Sequence, residues 1–184
     1  IMECQRKKYI LAIGRLEKQK GFDLLIKSWR GINDNLLILG EGSERDNLIE
    51  LIREHKLENK IEIKPAVKKE AMADIYKNAS CLIVSSRYEG GPRVALEALA
   101  SNIPVLSTKV GHMIDLLPNK FMTTPGDSEK LEKLIKKYIG KEINQGEIFE
   151  IVKNEYSLEK KALEISSLYR EQLNESREHN REAV

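Results

Sequence analysis

A doubly wound parallel α/β sheet is the fold the sequence predicts, and three observations carry it. Short apolar runs alternate with helical patterns along the chain, the order that sets parallel strands between two layers of helices. One of them, Cys81-Leu82-Ile83-Val84, is continuously apolar, as a strand buried on both faces is. The third observation is one stretch, Ser85 to Ser101 (SSRYEGGPRVALEALAS), which reads as the end of a buried strand, a glycine-rich turn and a helix beginning at a proline.

Taken in order, Tyr9-Ile10-Leu11-Ala12-Ile13 is the first strand and Gly14 to Lys20 (GRLEKQK) a polar loop. Gly21 to Trp29 opens a helix with Leu24, Leu25, Ile26 and Trp29 inward. Leu36 to Leu39 is strand two, closed by Gly40-Glu41-Gly42. Arg45 to Lys56 is an amphipathic helix that buries Leu48, Ile49, Leu51 and Ile52, a helical spacing. Ile61 to Pro65 is strand three and Glu70 to Asn78 the next helix. Cys81 to Val84 is strand four, and Val105 to Ser107 strand five. Phe121-Met122 is a short sixth strand, and Asp127 to Tyr138 a helix capped by Asp127 or Ser128. A last helix is expected from Ser157, its apolar face kept by Leu158, Ala162, Ile165, Leu168 and Tyr169. Beyond Leu173 that face is lost. Residues 1–173 are therefore expected to form one domain and residues 174–184 a polar tail.

The 184 residues can bury a real core, and 31 basic against 29 acidic residues are too even to call for nucleic acid. No apolar run approaches the roughly 18 residues of a membrane span, and no signal peptide is read at the start. The first residue is Ile1, so the sequence is expected to begin inside a longer protein or to lack its start. Cys4 and Cys81 do not form a disulfide framework; Cys81 sits in an apolar strand and reads as core, which sets a reducing cytoplasm as the expected location.

Two carboxylates stand out in the central stretch: Glu89 in the turn, and Glu97 interrupting an apolar helix, where burial would demand a partner. Gly90 and Gly91 permit close approach of a ligand to the backbone, Pro92 suits the first helical position, and a helix N-terminus attracts anions. A ligand with both hydroxyls and a phosphate fits this set. In a sheet ordered 3-2-1-4-5-6, ligands bind at the carboxyl ends of strands one and four, where the order reverses. Topology therefore brings Arg15, Lys20, Glu89 and the start of the Pro92 helix to one crevice. Singly, each has an ordinary reading: solvated loop charges, a turn residue, a satisfied carboxylate. Their convergence at one crevice is what points to a ligand site.

Familiar phosphate motifs fail. One glycine, Gly14, follows strand one, so the dinucleotide fingerprint is absent, which disfavours a nicotinamide-dependent oxidoreductase. No P-loop pattern and no D-x-D pair occur, and the histidines at 55, 112 and 179 are too scattered for zinc. What remains is a diphosphate held without metal by Arg15, Lys20 and backbone amides, Arg as a fork and Lys as a point charge.

On these residues the chain resembles the C-terminal, donor-binding half of retaining glycosyltransferases of family 4, which have the two-Rossmann GT-B fold. The resemblance runs from about Tyr9 to Tyr169. It lies in Gly14, Arg15, Lys20 and Gly21 (G-R-x4-K-G), the G-x-G after strand two, and a Ser followed by E-G-x-P-x4-E-A-L-A with seven residues between Glu89 and Glu97. It implies that Arg15 and Lys20 bind the donor diphosphate, that Glu89 contacts the donor sugar and that Glu97 contacts the ribose hydroxyls. The implied catalytic set is Glu89, Arg15 and Lys20. The donor-binding set adds Gly14, Ala66, Val67, Gly90, Gly91, Pro92, Arg93, Val94 and Glu97, with Ala66 and Val67 near the base. Gly91, Pro65, Gly111-His112 and Asp115 depart from the family's usual residues, which leaves base and sugar open. His112 is a loop histidine on the ligand side, while Trp29 and Tyr76 read as packing.

The resemblance further implies transfer of a hexosyl or N-acetylhexosaminyl group, with retention, from a nucleotide-diphosphate sugar. A UDP-sugar is expected, no cofactor or metal is required, and the acceptor is a glycan or lipid-linked saccharide of surface polysaccharide assembly. An N-terminal half outside this chain would hold the acceptor, the last helix would pass back to it, and the full protein would work at the inner face of the cell membrane. Other readings stay open: an epimerase or phosphorylase on the same fold, or a nucleotide-sugar binding module without catalysis.

Overall fold

The structure, a computed structural model, describes residues 9–141, 143, 145–156 and 160. The helix expected from Ser157 and the tail at 174–184 lie outside those residues, Lys160 apart. Six parallel strands form one sheet in the order β3-β2-β1-β4-β5-β6: β1 Tyr9–Ile13, β2 Leu36–Leu39, β3 Ile61–Lys64, β4 Ala79–Val84, β5 Val105–Thr108 and β6 Met122–Thr123. This is the expected doubly wound order, reversing between β1 and β4. The helices are α1 Phe22–Ser28, α2 Arg45–Glu54, α3 Lys69–Asn78, α4 Arg93–Ala100, α5 Met113–Leu116, α6 Ser128–Tyr138 and α7 Gly146–Glu155.

Alternation along each strand divides the core between two faces. Ile10, Ala12, Ile38 and Ile83 pack with Leu25, Ile26 and Trp29 of the α1 segment, Leu48 and Ile52 of α2, and Leu131 and Ile135 of α6. Leu11, Leu37, Leu39, Leu82 and Val84 pack on the other face with Tyr76 of α3, Ala95, Ala98 and Leu99 of α4, and Ile148 and Val152 of α7. The alanines of α4 keep it close to the sheet, which sets the start of that helix near the ends of β4 and β5. Asp127 caps α6, its carboxylate accepting from the Lys130 amide at 3.0 Å. Among the described residues no helix is long and apolar enough to cross a membrane.

Several elements differ from expectation, among them the short helix α5, which was not anticipated. Helix α4 begins at Arg93, with Pro92 extended in the capping position. Phe121 belongs to a 3-10 turn, so β6 is shifted by one residue. Helix α7 was not anticipated. The buried Gln145 before it uses both ends of its amide on Val105, accepting from the backbone N–H and donating to the carbonyl, each at 2.9 Å. That side chain supplies ladder bonds at the start of β5, and fixes where α7 meets α4.

Candidate functional site

The loop after β1 ends in a 3-10 turn at Lys18–Lys20, and Gly21 follows with φ +66°. A Cβ at Gly21 would lie 2.2 Å from the Ser85 carbonyl oxygen, so only glycine lets α1 start against the end of β4. The two loops are then clasped. Ser85 Oγ donates to the Lys20 carbonyl (2.9 Å), the Arg87 amide to the Gln19 carbonyl (2.8 Å), and Gln19 Nε2 to the Tyr88 carbonyl (3.2 Å). The Arg87 guanidinium forks onto Asp23, both bonds at 2.7 Å, and also reaches the Lys18 carbonyl. Burial works to raise the Asp23 pKa, but the Arg87 hydrogen bonds and charge outweigh it and hold the carboxyl below its ordinary value. Arg87 is correspondingly raised, chiefly by its bond to Asp23.

At the centre of this clasp Lys20 Nζ lies 2.6 and 2.7 Å from the two oxygens of Glu89, and Ser86 Oγ donates to Glu89 Oε2 at 2.8 Å. The lysine and glutamate side chains are 17% and 13% exposed, deep enough for the pair to be held but still reachable. The loop after β5 closes a third side. Thr108 Oγ1 donates to the Ser86 carbonyl (2.7 Å) and the His112 amide to the Gly90 carbonyl (3.0 Å). Gly111, at φ +46°, lies so near that an added Cβ would come 2.0 Å from the Gly90 oxygen and 2.4 Å from the Glu89 oxygen. A Cβ at Gly91 would meet the His112 ring at 3.1 Å, whereas at Gly90 it would meet nothing. The turn between Glu89 and α4 is therefore walled by His112 and open above Gly90. Arg93 and Val94 form the first turn of α4, where N–H groups have no acceptor within the helix.

Arg15 makes no bond to Glu89 of the kind Lys20 makes. It is exposed in the wall of a hollow of about 370 Å³ at the carboxyl ends of β1 to β3, shared with Gly14, Gly40, Glu41, Ala66 and Val67. Glu97 corrects the expectation of a buried carboxylate: its side chain is 46% exposed. The helix turns that position away from the sheet, and the partner it does have comes from α3, where the Tyr76 hydroxyl donates to Oε2 at 3.0 Å. Burial, and then the Glu97 charge, push the Tyr76 phenol well above its ordinary pKa. Asp23, Arg87 and Gln145 escaped the sequence reading, as did the bond from Tyr76, which was read as packing alone; their partners are far off in the chain, and no periodicity marks such pairs.

A second hollow, of about 350 Å³, lies at the opposite, amino end of the sheet beside Tyr9, Ser80 and Cys81. It holds neither Lys20 nor either glutamate, and by chemistry it is the lesser candidate. Among the described residues no three His, Cys, Asp or Glu side chains are placed to hold a metal ion.

The model of the glycosyl transferases group 1 family matches residues 3–155. The chain belongs to that family. It is 34% identical over 107 residues to the amylovoran biosynthesis glycosyltransferase AmsD of Erwinia amylovora, an alignment covering 56% of the chain and 30% of AmsD. It is 31% identical over 140 residues to mannosylfructose-phosphate synthase of Agrobacterium fabrum, covering 67% of the chain and 31% of that enzyme. The chain thus spans about a third of the length of such relatives. Its fold matches sucrose-phosphate synthase of Thermosynechococcus elongatus with a TM-score of 0.82 at 23% identity, over 94% of the chain and 47% of that structure. It also matches Anabaena HepE, solved in complex with UDP and glucose, with a TM-score of 0.71 at 21% identity, over 92% and 49%. At such identities these likenesses establish the fold, that of the Rossmann-like domains of GT-B glycosyltransferases.

Proposed function

We propose that this chain is the donor-binding part of a retaining, metal-independent glycosyltransferase that uses a nucleoside-diphosphate sugar, UDP-linked in the first instance. The observation that carries the reading is the meeting of Lys20 and Glu89 at the crevice between β1 and β4, from loops 69 residues apart. Departure of the sugar leaves negative charge on the diphosphate and oxocarbenium character on the ring. A lysine has three protons to donate, and Glu89 engages only part of that capacity. Lys20 can therefore take a phosphate oxygen without leaving Glu89, and be in place as the charge develops. The first-turn amides of α4 face the same need. Arg15, set apart in the hollow, reaches the diphosphate from the nucleoside side.

Glu89, oriented by Lys20 and Ser86, binds donor-sugar hydroxyls. Glu97 takes the ribose hydroxyls, and Ala66 and Val67 flank the base. Same-face attack, with the leaving phosphate assisting loss of the acceptor proton, gives retention. The acceptor, a glycan or a lipid-linked saccharide, is held by a further domain, and AmsD supports a role in surface polysaccharide assembly. The complex of HepE with UDP supports the choice of base. The protein acts in the cytoplasm, at the inner face of the membrane.

Calorimetric titration of UDP, GDP and ADP, without added metal, tests this reading. One nucleotide should dominate, and Glu97→Ala should weaken it by about 1–3 kcal/mol, the cost of a lost charged hydrogen bond. Equal affinity in that variant removes the ribose assignment, and a strict need for a divalent cation removes metal independence.

A further inference from the structure

Tyr76 sits on α3 with 3% of its surface exposed, its ring fixed in the apolar cluster that includes Ala95, Ala98 and Leu99 of α4. Its hydroxyl donates to Glu97 Oε2 at 3.0 Å, while the Val94 carbonyl lies further off, at 3.4 Å. A phenol has one proton to give, and the shorter contact to an ionised acceptor takes it. The other neighbour of Glu97 fixes little: Arg93 stands 3.9 Å from Oε1 with its side chain 90% exposed. Without Tyr76, a half-exposed glutamate would sample several rotamers and lose that freedom on binding.

We propose that Tyr76 is a positioning residue, whose buried phenol holds the Glu97 carboxylate in the orientation that receives the two ribose hydroxyls of the donor nucleotide. This rests on the reading of Glu97 as the ribose-binding carboxylate. A carboxylate offers about four acceptor sites; Tyr76 uses one on Oε2, and those left suffice for a vicinal diol. A phenol is protonated at neutral pH in any case, and burial, then the Glu97 charge, moves its pKa further up. The hydrogen bond thus reaches from the core under α4 to an exposed ligand-holding group, so the rigidity of the sheet sets the geometry at the ribose.

The experiment is a comparison of two ligands in two proteins. The full 184-residue chain and its Tyr76→Phe variant are titrated with UDP and with 2′,3′-dideoxy-UDP, and with the corresponding guanosine and adenosine pairs. The wild type should prefer the ribonucleotide of the dominant base by tenfold or more. Tyr76→Phe keeps the ring and its packing, and should reduce that preference about three- to tenfold, the range of one hydrogen bond, while leaving affinity for the dideoxy ligand unchanged. In a Glu97→Ala background the same substitution should leave the preference unchanged, because the two residues act through one contact. A preference unchanged in Tyr76→Phe, or equal losses for both ligands, would show Tyr76 to be packing alone and overturn the proposal. A wild type that binds none of these nucleotides, or makes no distinction between ribose and dideoxyribose, overturns the ribose reading itself and the inference with it.

Discussion

At one end of the cleft Lys20, Ser86 and Glu89 are already bonded to one another, and Arg87 and Asp23 clasp the loops that carry them. At the other end Arg15, Ala66 and Val67 line an open hollow, and the exposed Glu97 is tied by the Tyr76 phenol. The difference follows the chemistry. Charge develops on the diphosphate and the sugar, and groups that stabilise developing charge work best when they need no rearrangement at that moment. On the proposed reading base and ribose do not change during transfer, so the end beside Ala66, Val67 and Glu97 has only to hold them. An assembled end and a receiving end therefore suit the donor site proposed for this chain.

The comparison breaks if the two ends respond alike to substitution. The largest effect is expected at the assembled end. In a full-length protein assayed for sugar transfer, Lys20→Ala should lower kcat by about 100- to 1000-fold, the usual loss when one charge-stabilising donor is removed. Glu97→Ala should act mainly on KM. Similar kcat losses from both would mean that the nucleoside end also shares in the chemistry.

Gly111→Ala sharpens the comparison from the structural side. Its positive φ and the two carbonyl oxygens against it leave no room for a methyl group, and a loss of about 3 kcal/mol in unfolding free energy is expected. Gly90→Ala, where an added Cβ meets nothing within 4 Å, should cost under about 1 kcal/mol. Chemical denaturation of both variants checks the pair; equal costs would show that the β5 loop does not brace the turn.

The smallest effect belongs to the clasp. Arg87→Met should lower stability by about 1–2 kcal/mol, as a half-exposed bidentate pair allows. Its pH dependence has a definite sign. The folded Asp23 pKa is depressed, so the contribution is fully present above the unfolded aspartate value of about 3.9 and is lost as pH falls through the lowered folded value. Unfolding curves at pH 7 and pH 3 should therefore show the gap between wild type and Arg87→Met narrowing in acid; a gap that widens would contradict the assignment.

The strand order was legible in the sequence because β1, β2 and β4 are short apolar runs set between helical patterns, and the order then places the loops after β1 and β4 together. Lys20 and Glu89 could be paired on that ground alone. Glu97 was legible as a carboxylate out of keeping with its helix, but not its exposure, which depends on the rotation of α4 over the sheet. Arg87 lies in a polar loop and Asp23 at the start of an otherwise apolar helix, and only the folded loops select the pair. Helix α7 hides because it opens on Gln145-Gly146, residues typical of a turn. Ile148 and Val152, four apart and buried, are the one signal that could have revealed it.

The most direct test is a crystal structure of the chain with UDP, or with whichever nucleoside diphosphate the titrations select. The diphosphate is expected within hydrogen-bond reach of Lys20 Nζ and the first turn of α4, with the base in the hollow beside Ala66 and Val67. Nucleotide bound instead at the amino ends of β1 and β4, beside Tyr9 and Ser80, with the Lys20–Glu89 pair untouched, would contradict it.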